Sequence, residues 1–396
     1  MDLVARHFET GSWVRVTVDG PTIAAVTPVE GPAEVWPDDD WIGPAFWDLQ
    51  FNGRWGVSFS DPTLTVEQVA AIVQVQAELG SARVCPTLIT APFASLRSGL
   101  TAIAAACDQD PRIAARVLGI HLEGPYISSL DGYRGAHPLE AVRDPDWDEF
   151  QRLQEAAGGR VVLLTLAPER PGAIAFIRKA VASGIVVALG HTAADGTTIR
   201  AAVEAGARLS THLGNGIASV LPRHPNPIWE QAVELRLFAS LIADGHHLDL
   251  ATLSVLYRAK YPQAILVSDA SSLAGLSPGT YGPWAVDPSG KIVVAGTPYL
   301  AGSNQGLEVG LNTLLCATSC GIAPAFRAVT TAPALLLGRT PPIIEPGAPA
   351  NLVVFRCSGD GLSDPLRLLR TCVDGAWCEA RDDTPAPWVV PSREGV

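Results

Sequence analysis

The chain has 396 residues, of which 47% are apolar and 17% charged, and its formal net charge is −12. That length and apolar content suit a large packed core and exclude a disordered chain. An acidic balance without runs of Lys or Arg argues against a nucleic-acid or anionic-membrane surface, and no apolar run is long enough to span a bilayer unbroken.

The N-terminal stretch MDLVARHFETGSWVRV lacks the apolar segment and cleavage site of a signal peptide, so the expected location is cytoplasmic. Seven cysteines form no dense framework, as expected of reduced thiols. Cys316 and Cys320 have helical spacing and read as core residues. Residues 1 to about 42 suggest short strands, Trp13 to Val18 and Thr22 to Pro28, broken by Gly20-Pro21 and Gly31-Pro32. At the far end, Asn351 to Phe355 is strand-like, and Arg370 to Cys378 carries an Asp374-Gly375 hairpin signal. Both ends are therefore expected to meet in one small β-sandwich domain, made of residues 1–42 and 340–396, around a middle of 43–339.

That middle alternates strand and helix. Eight strand candidates are Ala45 to Phe51, Arg83 to Leu88, Val117 to Leu122, Val161 to Leu166, Ile185 to Leu189, Arg208 to Leu213, Phe238 to Ile242 and Ala264 to Val267. Helical spacing fills most gaps, as in Val66 to Leu79, Leu96 to Cys107, Gly172 to Ala182 and Ala251 to Ala259. Between His191 and His212, Asp195 is a candidate N-cap and Gly206 a candidate stop. Eight such units predict an α/β fold, a TIM-like (β/α)8 barrel. An open doubly wound sheet would need a glycine-rich phosphate loop, which Gly53-Arg54-Trp55-Gly56 matches poorly.

Polar residues sit where these strands end: Asp48, Gln50, Asn52, Thr87, Glu123, Glu169, His191, His212, Asp244 with His246 and His247, and Asp269. Active sites of such barrels gather at that face. His191 and His212 end successive strands joined by one helix, so their imidazoles can converge. A carboxylate at Glu123 is costly to bury unpaired. It could pair with Arg134, or complete a His₂-carboxylate metal set with an open position, a site that acidifies water and polarises a carbonyl. Asp269 could serve there as general base, or merely cap a turn.

Further motifs carry a resemblance: Asp48 to Gly53 (DLQFNG), HLEGP at 121–125, GAHP at 135–138, GHT at 190–192, THLGN at 211–215, ADGHH at 243–247, SDA at 268–270, LAGS at 300–303, and the closing PGAPANLVVF at 346–355. Over nearly its whole length the chain resembles the N-acetylglucosamine-6-phosphate deacetylase family of the amidohydrolase superfamily. The resemblance implies one divalent metal ion, Zn²⁺ first and Fe²⁺ second, on Glu123, His191 and His212, because Gln50-Phe51-Asn52 replaces the His-x-His of two-metal relatives. It implies catalytic roles for Asp269 and His137, and substrate contacts at Ala136, His137, Asn215, Gly216, His247, Leu300 and Gly302. Arg223, twelve residues beyond Thr211, matches the family's phosphate-gripping arginine, and Arg suits phosphate because its fork binds bidentately. A homodimer is implied, with a small amino-sugar substrate and neither nucleic acid nor membrane as partner. The loop GNGIASVLPRHPNPIWEQ departs from the family at Gly214, Gly216 and after Arg223. An unphosphorylated N-acetyl sugar, an N-acyl amino acid, or a silent sugar-phosphate binder remain alternatives.

Overall fold

The computed structural model describes residues 1–32, 39–357 and 365–381. Parts of both expected terminal segments, 33–38, 358–364 and 382–396, lie outside the described residues.

Eight parallel strands form one sheet in sequence order: Phe46–Phe51, Ser81–Ile89, Ile120–Glu123, Val161–Leu166, Val186–Leu189, Leu209–Ser210, Phe238–Ile242 and Ala264–Val267. A parallel bridge between Phe51 and Ala270 brings the last strand back to the first. The Asp269 N–H donates to the Gln50 carbonyl at 2.9 Å, and the Asn52 N–H to the Ala270 carbonyl at 2.7 Å. All eight expected strands are present, and the architecture is the (β/α)8 barrel. Strands such as Phe46–Phe51 and Ala264–Val267 are buried throughout, as parallel strands roofed by helices must be.

Inside the barrel, Leu49, Leu163, Leu209, Phe238, Ile265 and Val267 pack together. Ala332 and Leu336, from the helix Thr331–Leu336, join them and stopper the barrel's lower end. The helices begin where the sequence supplies caps. Thr65 and Gln68 make a reciprocal capping box on Val66–Glu78, and Asp195 accepts from the Thr198 N–H at the start of Gly196–Glu204. Cys316 is buried in Leu307–Thr318, while Cys320 is half-buried just beyond that helix.

The chain ends share one seven-stranded sheet. Its central strand Asp40–Pro44 pairs parallel with Asp2–His7 and antiparallel with Leu352–Arg356. Residues from both halves, including Val16, Ile23, Ile42, Leu352 and Cys372, form a single apolar cluster. The Asp374-Gly375 turn joins Arg367–Val373 to Ala376–Glu379, with φ of 48° and 85°, the left-handed values that a two-residue hairpin needs. Arg83, on the second barrel strand, grips Asp374 at 2.7 Å and ties the small sheet to the barrel.

Several elements had no counterpart among the expected ones, the helices Leu307–Thr318 and Ile322–Val329 among them; the one that bears on the site is a flap. After the eighth strand the chain forms a three-stranded antiparallel flap, Gly279–Tyr281, Trp284–Val286 and Ile292–Val294. Leu273, Val286, Ile292 and Ala301 give it a small core, against which Ala136 and Trp284 pack. Among the described residues no helix is long and apolar enough to cross a membrane.

Candidate active site

Glu123, His191 and His212 meet at the C-terminal end of the barrel. Glu123 Oε1 lies 3.2 Å from His191 Nε2 and 2.9 Å from His212 Nε2, and the two ring nitrogens are 3.1 Å apart. All three side chains are buried. Arg134, the alternative partner for Glu123, instead binds Asp131 and the His137 carbonyl. The two histidines have φ of 50° and 31°, and Asp269 has 47°. Left-handed backbone costs on the order of 1–3 kcal/mol per residue, so three such residues at one strand-end cluster mark a site where geometry is held against strain.

The donor set fits a metal ion. His191 Nδ1 lies 3.0 Å from the Tyr133 carbonyl, which can only accept. The ring proton is therefore on Nδ1, and Nε2 turns a lone pair toward Glu123 and His212. A buried carboxylate oxygen and two imidazole nitrogens, all within 4.8 Å of one another, form a set of ligand atoms that a divalent cation would satisfy. Burial opposes the Glu123 charge, but its contacts with both histidines hold the carboxyl well below its usual range. Burial likewise opposes charge on His212, and the Glu123 carboxylate overcomes it and raises that ring.

Asp269 stands beside this cluster. Its Oδ1 accepts from Asn52 Nδ2 at 2.7 Å and from Gln50 Nε2 at 3.1 Å. Burial first, and then the Glu123 charge, push its carboxyl up to about 6, a value suited to a proton carrier near neutrality. On the opposite side, His137 Nε2 lies 3.2 Å from His191 Nε2, and its Nδ1 meets the Thr90 hydroxyl at 2.8 Å. Burial and the His191 ring lower His137 to about 3, so it stays neutral. Below the site, His121 is buried against Thr165 at 2.8 Å, and Thr165 against Thr211 at 2.8 Å.

A cavity of about 270 Å³ opens above these groups. Ala136, His137, Asn215, Gly216, His247, Leu300 and Gly302 line it together with Glu123, His191, His212 and Asp269. His247 Nδ1 lies 2.8 Å from Asp244. Burial opposes the charge on His247, yet that carboxylate raises the ring. Asn215 Nδ2 is buried with no protein partner.

A model of the amidohydrolase family matches residues 41–378. The chain belongs to the amidohydrolase family. This amidohydrolase is 35% identical over 347 residues to N-acetylglucosamine-6-phosphate deacetylase of Bos taurus, covering 84% of this chain and 82% of that protein. It is 31% identical over 338 residues to N-acetylgalactosamine-6-phosphate deacetylase of Escherichia coli O157:H7, covering 84% and 88%. Its fold matches the crystal structure of N-acetyl-D-glucosamine-6-phosphate deacetylase from Mycobacterium smegmatis with a TM-score of 0.84 and 30% identity, over 95% of this chain and 99% of that one. Within the family it groups with these deacetylases.

Arg223 is the one expected substrate contact that the amidohydrolase does not bring to the cavity. It is exposed, on a loop that turns outward before Asn226, whose side chain accepts from the Ile228 and Trp229 N–H groups and starts the helix Pro227–Val233. The departures at Gly214 and Gly216 have a steric reason. A Cβ on Gly216, at φ +58°, would lie 2.8 Å from His191 Nδ1, and one on Gly214, at φ +97°, would lie 3.1 Å from Leu248.

Sequence reasoning placed Gln50 and Asn52 at a strand end without seeing that they hold Asp269. Thr90 behind His137, and Trp284 and Tyr299 on the cavity wall, were not singled out. No spacing marks them, because loops and the flap deliver them.

Proposed function

We propose that this amidohydrolase removes the acetyl group from N-acetylglucosamine-6-phosphate, giving glucosamine-6-phosphate and acetate. The observation that carries this is the convergence of Glu123, His191 and His212 with Asp269 and His137 on either side, in a cavity sized for one small ligand. One divalent ion per chain, zinc in preference to iron, would be held by Glu123, His191 and His212. Bound there it supplies Lewis acidity, polarising the acyl carbonyl and acidifying water.

The chain's own groups perform the rest. Asp269, fixed through Oδ1 by Gln50 and Asn52, takes the proton of the attacking water and returns it to the departing amine nitrogen. With Nδ1 accepting from Thr90, His137 carries its proton on Nε2 and donates it to the oxygen that gains charge as water adds. Asn215 and the Asp244-held His247 bind the sugar's polar groups.

Among the described residues no Lys or Arg lines the cavity, which favours a second reading, an unphosphorylated N-acetyl sugar. A homodimer reconciles the first reading with that wall. Val220, Trp229, Val233 and Leu235 are exposed apolar residues around the Arg223 loop, and a second copy seated there could bring Arg223 to a neighbouring cavity. The expected setting is the cytoplasm. Acetate release from N-acetylglucosamine-6-phosphate, compared with N-acetylglucosamine in wild type and Arg223→Ala, decides between them. Turnover of the phosphate ester that falls in Arg223→Ala supports the first, and equal turnover of both sugars, unaffected by the substitution, supports the second.

A further inference from the structure

A second cavity, of about 780 Å³, opens from the first. It lies between the loop 131–140, the segment around Pro62 and the flap, and Ile89, His137, Trp284 and Tyr299 line both cavities and so frame the passage between them.

Strand order fixes where this chamber lies relative to the chemistry. The strands run consecutively around the barrel. Ile89 ends the second strand, Thr90 follows it and residues 131–140 follow the third, whereas Asn215 and Gly216 follow the sixth and His247 the seventh. The chamber is thus reached from the His137 side of the Glu123–His191–His212 cluster, whereas Asn215, Gly216 and His247 line the first cavity and not the second. An amide whose amine half sits among Asn215, Gly216 and His247 turns its acyl half toward the passage.

The chamber's chemistry suits an alkyl chain and not an anion. Its walls include Pro62, Leu139, Val294 and Trp284, and among the described residues its charged groups are the carboxylates Asp61, Asp131 and Glu140 against the cation Arg134. That guanidinium is already committed to Asp131 and to the His137 carbonyl. A phosphate placed here would be repelled by Asp61 and Glu140, the two carboxylates that Arg134 does not pair.

We propose that this second cavity is an acyl subsite, and that the enzyme hydrolyses N-acyl amino sugars whose acyl chains are longer than acetyl. This rests on the deacylase reading above. In the reaction, water oxygen bonds to the acyl carbon, the C–N bond breaks, and the amine leaves with a proton as the fatty carboxylate departs. No other reactant is needed.

The test compares kcat/KM for the N-acetyl, N-propionyl and N-butyryl forms of glucosamine-6-phosphate in metal-loaded protein. Val294→Trp and Leu139→Trp would fill the chamber without touching the first cavity, since neither residue lines it. Wild type should hydrolyse the N-butyryl form within about tenfold of the N-acetyl form, and the variants should lower that ratio by at least about tenfold while keeping acetate release intact. A loss greater than tenfold on going to N-butyryl in wild type, or a ratio that neither variant changes, overturns the acyl subsite and leaves the deacetylase standing. No turnover at any chain length overturns both.

Discussion

Replacing Asp269 with Asn isolates proton transfer from everything else the site does. The side chain is buried, and its Oδ1 is held by Asn52 at 2.7 Å and Gln50 at 3.1 Å. An asparagine oxygen can accept both bonds in the same place, so the shape of the site and the Glu123–His191–His212 cluster should survive. What disappears is the group proposed to take a proton from water and deliver it to the amine. A positioned acid–base group contributes roughly 10²- to 10⁴-fold, and the proposed mechanism gives Asp269 two successive transfers, which points to the upper end. At 1.36 kcal/mol per decade, a loss of 10⁴ corresponds to about 5 kcal/mol of barrier.

The same carboxylate predicts the acid limb of the pH profile. A base works when deprotonated, so kcat/KM falls as pH drops through its pKa. Burial raises Asp269 from 3.8 to about 6, and a bound cation would pull it back down, so the limb should lie between those values. Acetate release should be followed against pH, with metal content measured on the same samples. A loss below about tenfold with metal retained would refute the base assignment. A loss that tracks missing metal would make Asp269 a ligand instead.

Three further outcomes follow from the neighbours. Asn52→Leu removes a donor that favours the charged carboxylate; at about 1.5 kcal/mol for a bond to a charged acceptor, the acid limb should move up by about one pH unit, and an unmoved limb would contradict the role given to Asn52. His137→Gln should lower kcat by roughly 10²- to 10³-fold with KM little changed, the signature of an oxyanion donor; a rise in KM alone would make it a simple binding residue. Gly216→Ala should force the His191 ring off the Tyr133 carbonyl and weaken metal binding by about 10- to 100-fold, as loss of such an orienting bond does; unchanged affinity in competition with a chelator would refute the steric argument.

Which parts of this were legible in the sequence depended on the kind of signal. The eight strands could be read because each is a buried apolar run closed by a polar residue, and the candidate metal-binding trio because Glu123, His191 and His212 fall at those closings. Asp195 and the Asp374-Gly375 turn were legible because caps and turns are local chemistry. The flap was not, since its strands of three residues each are too short for period-two patterning to stand out. The contacts of Asp269 with Gln50 and Asn52 span more than two hundred residues, at separations of 219 and 217, and exist only because the barrel closes. Arg223 shows the opposite limit: its spacing from Thr211 matches the family, but the proline-rich loop that carries it points outward.

The most direct test of the metal-dependent deacetylase is to strip the protein with a chelator, add Zn²⁺ in steps, and follow acetate released from N-acetylglucosamine-6-phosphate. The account predicts no activity in the stripped protein and a plateau at about one equivalent per chain, the number that Glu123, His191 and His212 can hold. Full activity without metal, a plateau at two equivalents, or no acetate at any loading would contradict it.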